Sequence, residues 1–344
     1  TGTVPNGVAG QGYMTIQVYP GPALGNAPEE VIWASPSGGG NKGGIQGAGG
    51  DNAALGYGRY CVVSGIVFTG VATSGVGGLV NLQSGANSWR VVGCEMGPWP
   101  STADARVGGV AGNGDGVKLF GNYIHDISAD PTPGNLNHGL YFDGSNSGAW
   151  DACAKNCEAA YNVIKNINNG SSVQYFNQDS SDVITGMSLH HNWLEVNAKY
   201  AINLGQSCKS VDVYNNVTID SGVSEIRWDT PPASIAHNIS HNTFIHGGAS
   251  VYAAVINTGG NITSGALKIQ HNIVVLSAGR GSALPTFLSA LGASNTAVTI
   301  SENLYKDFDN VRLSVPTEDA TGVYGDPLFV DVTTDDYTCG ASGA

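Results

Sequence analysis

The sequence predicts an all-β solenoid, a chain wound into about nine to ten short stacked coils. Three observations lead to that prediction: 50 glycines, an asparagine-centred phrase that returns every two to three dozen residues, and short apolar runs without a long helical pattern. The glycines follow no three-residue period, which excludes collagen. The chain also lacks the heptads of Glu and Lys that a coiled coil needs.

The charge content is low for a soluble chain. Of 344 residues, 14 are basic and 27 are acidic, so 12% carry charge and the formal net charge is −13. An ordinary soluble domain carries roughly 25%. The apolar fraction of 41% is near normal and argues against a disordered polymer. The acidic balance excludes a typical nucleic-acid binder, because such a protein needs a basic stripe against the phosphates.

The chain shows no linker and no charge run that would mark a domain boundary. We therefore predict one domain over residues 1–344, with N-terminal coils at 1–64, ladder coils at 65–310 and a closing segment at 311–344. Polar and glycine residues interrupt each uncharged stretch before ~20 continuous apolar residues accumulate, so we expect no membrane span.

Six cysteines stand at positions 61, 94, 153, 157, 208 and 339. Cys153 and Cys157 are close enough in sequence for a local disulfide, and free thiols are the main alternative. A metal site would need further Cys or His ligands at matching spacing. A disulfide would indicate an oxidising compartment, which fits a secreted or cell-surface protein. The sequence does not pair the other four cysteines.

One short phrase organises the chain: an apolar pair, one or two polar residues, Asn, and further apolar residues. Its asparagines are separated by 24 to 40 residues, and they are Asn122, Asn162, Asn192, Asn216, Asn242, Asn272 and Asn303. Gly65 and Cys94 occupy the same slot upstream. Units of this size cannot bury a face alone and must stack on their neighbours.

An asparagine that returns at one turn position predicts a ladder of amide hydrogen bonds between layers ~4.8 Å apart. Such a ladder would satisfy amides that burial would otherwise leave without partners. The main rival fold is a β-propeller, whose blades need four strands. Coils as short as 24 residues are too small for such a blade.

The ladder phrases from Gly65 to Asn303 resemble the right-handed parallel β-helix, or pectate-lyase-like, superfamily. The run GVAGQGYMTIQVYPG at 7–21 is similar to its opening coil, and GDPLFVDVTTDDY at 325–337 is similar to its closing segment. The resemblance implies a right-handed, single-stranded parallel β-helix. It leaves the activity open, because this fold hosts lyases, hydrolases, epimerases, phage spikes and adhesins.

A second register gives the face where this superfamily usually binds sugar chains. It aligns the phrases GVKLFG, GLYFDG, SVQYFN, AINLG and EIRWD. Alternation along a strand predicts ten inward residues: Val117, Leu119, Leu140, Phe142, Val173, Tyr175, Ile202, Leu204, Ile226 and Trp228. The predicted central outward column is Lys118, Tyr141, Gln174, Asn203 and Arg227. The columns beside it are Phe120, Asp143, Phe176, Gly205 and Asp229, and Asp115, His138, Ser171, Tyr200 and Ser224.

These columns contain residue types that suit β-elimination from a uronate-containing glycan. A lyase needs a cation or Ca²⁺ on the uronate carboxylate, a base for the C5 proton and an acid for the leaving oxygen. We assign proton transfer to His138 and Tyr141, and charge neutralisation to Arg227 and Lys118. Asp143 and Asp229 are candidate Ca²⁺ ligands. The candidate substrate-binding residues are Asp115, Gln174, Phe176, Tyr200, Asn203 and Trp150.

Other interpretations stay open. The long uncharged stretches favour a non-catalytic adhesin, spike or fibre subunit that self-associates, since charge normally keeps β-surfaces apart. A glycoside hydrolase would use two aspartates facing one bond. The simplest alternative is that the polar outer face only solvates the rod. On every functional interpretation, the expected partner is a polysaccharide or a cell-surface glycan. For His191, His241 and His271 we expect a structural role beside the ladder rather than metal binding.

Overall fold

The structure is a computed structural model. It describes residues 14–17, 32–34, 45–47, 60–69, 77–82, 86–99, 107–112, 114–128, 137–145, 152–177, 184–197, 199–205, 208–228, 235–246, 254–258, 262, 265–276, 286–289, 296–307, 319–327, 329–331 and 336–339. Within these ranges every regular element is a short β-strand.

The strands form three long sheets. Sheet 1 has ten strands: β1 (Met14–Gln17), β4 (Cys61–Ser64), β7 (Arg90–Val92), β10 (Lys118–Phe120), β14 (Glu158–Ala160), β17 (Met187–His190), β20 (Ser210–Tyr214), β23 (Ile235–Ser240), β26 (Gly265–Gln270) and β29 (Val298–Ser301). Sheet 2 has eleven: β2 (Ile32–Ala34), β5 (Val67–Thr69), β8 (Glu95–Met96), β11 (Tyr123–Ile127), β15 (Val163–Ile167), β18 (Trp193–Asn197), β21 (Val217–Ile219), β24 (Thr243–His246), β27 (Ile273–Leu276), β30 (Leu304–Asp307) and β31 (Val323–Tyr324).

Sheet 3 completes each coil. Its parallel path consists of β3 (Ile45–Gly47), β6 (Gly77–Leu82), β9 (Val107–Gly112), β12 (His138–Ser145), β16 (Ser171–Asn177), β19 (Tyr200–Leu204), β22 (Ser224–Trp228), β25 (Ala254–Thr258) and β28 (Thr286–Ser289). A tenth strand, β13 (Ala152–Cys153), pairs with β12 in the antiparallel sense. Separately, β32 (Phe329–Asp331) and β33 (Asp336–Cys339) form an antiparallel hairpin.

Each coil contributes one strand to each sheet, and the strand of one coil pairs in parallel with the equivalent strand of the next. Every unit therefore buries its apolar face against its neighbours. This architecture is a parallel β-helix, and it confirms the fold class predicted from the repeat.

The core runs along the inside of the coil stack. All ten residues that were predicted to point inward are buried, among them Trp228 and Tyr175 with no exposed surface. Short strands of alternating burial, such as Cys61–Ser64, place every second side chain inside. Stacking these layers produces one continuous hydrophobic cluster from Cys61 to Tyr305.

The seven asparagines of the repeat lie at the turn between sheet 1 and sheet 2. At each step the backbone N–H and the side-chain Nδ2 of one asparagine donate to Oδ1 of the next, at 2.9–3.0 Å. The Cys94 N–H donates to Asn122 Oδ1 at the first step. Asn303 Nδ2 donates to the Asp319 carboxylate at the last. The ladder thus has a defined beginning and end.

Cys157 corrects the predicted local disulfide. It is a free thiol, buried in the core, and its Sγ donates to the carbonyl oxygen of Gly114 at 3.2 Å. Burial raises the pKa of this thiol to about 12. The side chain of Cys153, its predicted partner, lies outside the described residues. The inward orientation of Cys157 follows from its place directly before β14.

No helix in the described residues is long and apolar enough to cross a membrane.

Candidate functional site

The outer face of sheet 3 carries most of the predicted central column. Tyr141 of β12 pairs with Gln174 of β16, Gln174 with Asn203 of β19, and Asn203 with Arg227 of β22. Asn257 of β25 extends the row by one strand. The register of these residues therefore agrees with the sequence prediction from Tyr141 to Arg227.

Lys118 does not belong to this column, and its predicted position was wrong. It lies on β10 of sheet 1, between Arg90 and Glu158, and its Nζ forms an ion pair with Glu158 at 2.7 Å. Phe120 is on the same strand, so it too leaves the predicted face. Ala111 occupies the expected position beside Tyr141.

Asp115 also lies away from the predicted face. It forms an isolated bridge with Lys155 just before β10, and its side chain is exposed and accepts a hydrogen bond from Asn156 Nδ2 at 3.2 Å. The whole phrase that contains Asp115 and Lys118 directly precedes the ladder turn at Asn122. It therefore forms the sheet 1 strand of its coil rather than the sheet 3 strand.

A bend within the sheet 3 strands brings a second column to the same outer face. Two consecutive residues of β19, Ala201 and Ile202, are both in the core, and the same holds for Val255 and Ile256 of β25. Simple alternation is therefore broken, so that residues three apart share the outside. Tyr200, which pairs with Ser171 and Ser224, joins this second column.

Two contacts tie neighbouring coils together on this face. Arg227 Nη1 donates to the hydroxyl of Tyr200 at 2.8 Å, and the guanidinium lies 5.2 Å from the centre of the Tyr200 ring. Asn203 Nδ2 donates to Gln174 Oε1 at 3.1 Å. Tyr200, Gln174 and Asn203 are buried, whereas Arg227 is half-buried. The buried residues thus form a layer that fixes the guanidinium in place.

A hydrogen bond from the backbone orients the His138 ring. The backbone N–H of Ser171 donates to His138 Nδ1 at 3.2 Å, so Nδ1 carries a lone pair and the hydrogen of the neutral ring is on Nε2. The ring is buried and stacks on Tyr141, with centroids 5.3 Å apart. In this state neither ring nitrogen is a free proton acceptor for a substrate. The geometry therefore does not support His138 as a general base.

The predicted proton-transfer and neutralising groups are also spread along the solenoid. Tyr141 and Arg227 are separated by three strand spacings, which is about 14 Å at the usual ~4.8 Å between strands. A base and a charge neutraliser for one sugar residue must lie within contact of the same reacting atoms. His138, Tyr141, Lys118 and Arg227 therefore do not form one catalytic centre.

Several buried polar atoms on this face have no hydrogen-bond partner within the described part of the chain. They are Ser171 Oγ, Asn203 Oδ1 and Ser224 Oγ. Buried polar groups nearly always form hydrogen bonds. Three such atoms without a partner on one face therefore indicate that ordered water or a ligand binds there.

Some predicted site residues cannot be located. Trp150 and Asp229 lie outside the described residues, as does the side chain of Asp143 on β12. The predicted Ca²⁺ pair thus stays a prediction. Among the described residues, no group of three or more His, Cys, Asp or Glu side chains could hold a metal ion.

The sequence analysis missed a polar network on the outer face of sheet 1. Glu158 accepts hydrogen bonds from Lys118 and from His190 Nε2, and His190 Nδ1 lies 2.8 Å from Nδ1 of His191. Burial opposes ionisation of Glu158, but these two donors outweigh it and lower its pKa. Assigning Lys118 to sheet 1 would have placed it beside Glu158 from the sequence alone.

Comparisons with known proteins support the fold only. No family model and no curated protein matches the sequence. Among solved structures, a tailspike protein of E. coli bacteriophage HK620 in complex with a pentasaccharide matches with a TM-score of 0.51 at 12% identity, over 78% of this chain and 43% of that chain. The chain thus spans less than half of that tailspike.

Two further structures match at lower scores. The Dettilon tailspike protein has a TM-score of 0.37 at 12% identity, over 87% of this chain and 60% of its own. The A-module of a mannuronan C-5 epimerase from Azotobacter vinelandii has a TM-score of 0.36 at 9% identity, over 86% of this chain and 91% of its own.

Proposed function

We propose that this parallel β-helix binds an extended, uronate-containing glycan along the outer face of sheet 3. The observation that supports it best is the Arg227–Tyr200 pair beside the Gln174–Asn203 amide pair. A guanidinium recognises carboxylate groups, while amides and hydroxyls suit sugar hydroxyls. A row of such groups, repeated at the strand spacing, fits a polymer better than a small molecule.

The accessible groups and the buried layer have different roles in this proposal. Tyr141, Phe176, Arg227 and Asn257 are half-buried and contact the glycan directly. Bridging water links the glycan to two buried atoms, Asn203 Oδ1 and Ser224 Oγ. A water-mediated contact of this kind is nearly as favourable as a direct hydrogen bond. The HK620 tailspike, a protein of similar fold, binds a pentasaccharide, which agrees with a glycan ligand.

We propose binding without cleavage as the main activity, because the predicted neutralising groups, Arg227 and Lys118, lie apart from the predicted proton-transfer groups. β-Elimination is the second candidate, and one contact favours it. The Arg227 guanidinium and the Tyr200 hydroxyl meet at one point, where a cation and a phenol would act on the same uronate. A lyase would release unsaturated ends that absorb ultraviolet light, whereas a binding protein would release none.

The test is affinity electrophoresis in gels that contain polygalacturonate or alginate, with dextran as the uncharged control. We expect both polyuronates, but not dextran, to retard the wild-type chain through sheet 3. Arg227→Gln should weaken that retardation about tenfold, the usual size of one charge-assisted contact. Lys268→Gln removes a cation from the exposed surface of sheet 1 and should change nothing.

An equal loss in both variants would show that only net charge matters and would contradict the proposal. A wild-type chain that neither polyuronate retards would contradict it as well. Ultraviolet absorbance of the same mixtures separates the two candidates, since a steady rise that Arg227→Gln abolishes would favour the lyase.

A further inference from the structure

The residue before each ladder asparagine has a left-handed backbone, and so do Gly65 and Gly93, which precede Ile66 and Cys94 at the equivalent upstream turns. The positions are Gly65, Gly93, Gly121, Tyr161, His191, Asn215, His241, His271 and Glu302, with φ between 54° and 65°. Glycine adopts this conformation freely and asparagine tolerates it, but a bulky side chain there is a true outlier. Tyr161 is the bulkiest residue in the series.

Burial does not compensate for the strain at Tyr161. Its side chain is 60% exposed, the largest value among the exposed large apolar residues of the described chain. Strained residues cluster at functional sites, where another requirement keeps them. The backbone explains the glycines and the asparagine at this turn position, but it does not explain a strained and exposed tyrosine.

A second exposed tyrosine lies at the same corner of the solenoid, one coil earlier. Tyr123 directly follows the ladder residue Asn122 and is 40% exposed, whereas Tyr161 directly precedes Asn162. An imidazole supports each ring: Tyr123 stacks on His125 with centroids 4.3 Å apart, and Tyr161 stacks on His191 at 4.9 Å. The two rings are thus held in fixed orientations with surface open to solvent.

The polar groups beside the Tyr123–His125 pair are acidic hydrogen-bond acceptors, whereas the Tyr161 ring contacts the imidazoles of His190 and His191. Glu95 and Asp126 both contact His125, at 3.1 and 2.8 Å, and both carboxylates are about half exposed. The hydrogen bond from His125 lowers the pKa of Asp126, so this carboxylate is ionised at neutral pH. Carboxylates accept hydrogen bonds from hydroxyls and repel anions. A ligand for this corner therefore has hydroxyl groups, an apolar face for the rings and no negative charge.

We infer that Tyr123 and Tyr161 form a second binding platform, which takes a neutral sugar chain. The apolar face of a pyranose ring packs on an aromatic ring, and its hydroxyls donate to Glu95 and Asp126. This platform lies where sheet 1 turns into sheet 2, and none of its residues belongs to sheet 3. It does not depend on the polyuronate site, because no residue is shared between the two.

The test uses affinity electrophoresis with laminarin and yeast mannan as neutral probes. We expect at least one of them to retard the wild-type chain, and Tyr161→Asn to weaken that retardation about tenfold. Asparagine suits the left-handed backbone, so the same variant should raise Tm by about 1–3 °C. Tyr324→Asn is the matched control, since Tyr324 is a 50% exposed tyrosine on the last strand of sheet 2.

Three results would overturn the platform. The first is that no neutral probe retards the wild-type chain, and the second is that Tyr161→Asn and Tyr324→Asn weaken the retardation equally. The third is a lower Tm in Tyr161→Asn with unchanged retardation, which would give the ring a structural role. Arg227→Gln distinguishes this site from sheet 3. It should leave the retardation by neutral probes intact whether or not polyuronates bind.

Discussion

Buried side-chain amides occur in two regions of this molecule, and the two regions differ in how completely these amides are hydrogen-bonded. Asn162 in the ladder uses its whole side chain: Oδ1 accepts from Asn122, and Nδ2 donates to Asn192 and to a backbone carbonyl. Asn203 on sheet 3 is equally buried, yet its Oδ1 has no partner within the described residues. The same residue type is thus fully satisfied where it holds coils together and left incomplete where we place a ligand.

That contrast has a physical meaning. A buried polar group without a partner costs stability, and a fully bonded network recovers the cost through mutual polarisation. The incomplete face of sheet 3 therefore opposes folding, and selection for binding is a reason to keep it.

The largest expected effect is at the centre of the ladder. Asn192→Ala leaves two buried donors of Asn162 without their acceptor and removes one of the two hydrogen bonds to Asn216 Oδ1. We expect a loss of about 3–5 kcal/mol in the free energy of unfolding, measured by urea denaturation. Asn215→Gly is the matched control, because Asn215 is exposed in the equivalent turn of the next coil and glycine accepts its backbone conformation. It should cost less than about 0.5 kcal/mol. Similar losses in the two variants would contradict the role of the ladder.

An intermediate effect is expected from a buried histidine that is fully bonded. Val211 N–H donates to His237 Nδ1, His237 Nε2 faces the carbonyl oxygen of Cys208, and desolvation lowers the pKa of the ring to about 4 from 6.5. As the pH falls through 6.5, the His237 imidazole becomes protonated in the unfolded chain but stays neutral in the folded chain. Stability should therefore fall by about 3 kcal/mol between about pH 6.5 and pH 4, and lose nothing more from this group below that.

Urea denaturation across that pH range measures this loss. His237→Asn should remove the corresponding part of the pH dependence, whatever its stability at neutral pH. His241→Asn, at an exposed histidine, should retain it. An unchanged slope in His237→Asn would show that carboxylates alone cause the acid sensitivity.

The smallest expected effect is on sheet 3. Ser224→Ala deletes a buried hydroxyl that has no hydrogen-bond partner among the described residues, so the free protein should change by less than about 0.5 kcal/mol or become slightly more stable. The same variant should weaken the retardation by polyuronates, since it removes an atom that bridging water would use. A large loss of stability would mean that Ser224 Oγ has a structural partner, and the contrast with the ladder would fail.

The fold was predictable because its signals are local and repeated. The asparagine phrase marks one turn in each of seven coils, and alternation identified inward residues such as Leu140 and Ile202. The orientation of a side chain was harder to predict where inward and outward residues do not alternate along the strand. Two consecutive inward residues at Ala201 and Ile202 depend on how the strand bends around the core, which no local pattern encodes.

The candidate site was only partly predictable. Tyr141, Gln174, Asn203 and Arg227 fell into register because their strands have similar apolar patterns. Lys118 was misplaced because two sheets of the same solenoid use the same pattern, and only its position next to the ladder turn distinguishes them. Which outward residues are buried depends on the packing of the whole chain, so the burial of Asn203 could not be derived from its strand.

The ladder also gives the solenoid a direction and a unit of length. Every amide donates towards the C-terminus, so the column is a line of aligned dipoles whose positive end meets the carboxylate of Asp319. The ladder steps span sequence separations from 24 to 40 residues, yet the bonds between coils are the same length. A coil of any length can therefore be inserted without disturbing the neighbouring coils, provided that it contains one ladder asparagine. A coil can likewise be deleted together with its asparagine. A break within a coil, or a new C-terminal end without an acidic residue, leaves the last amide with no acceptor.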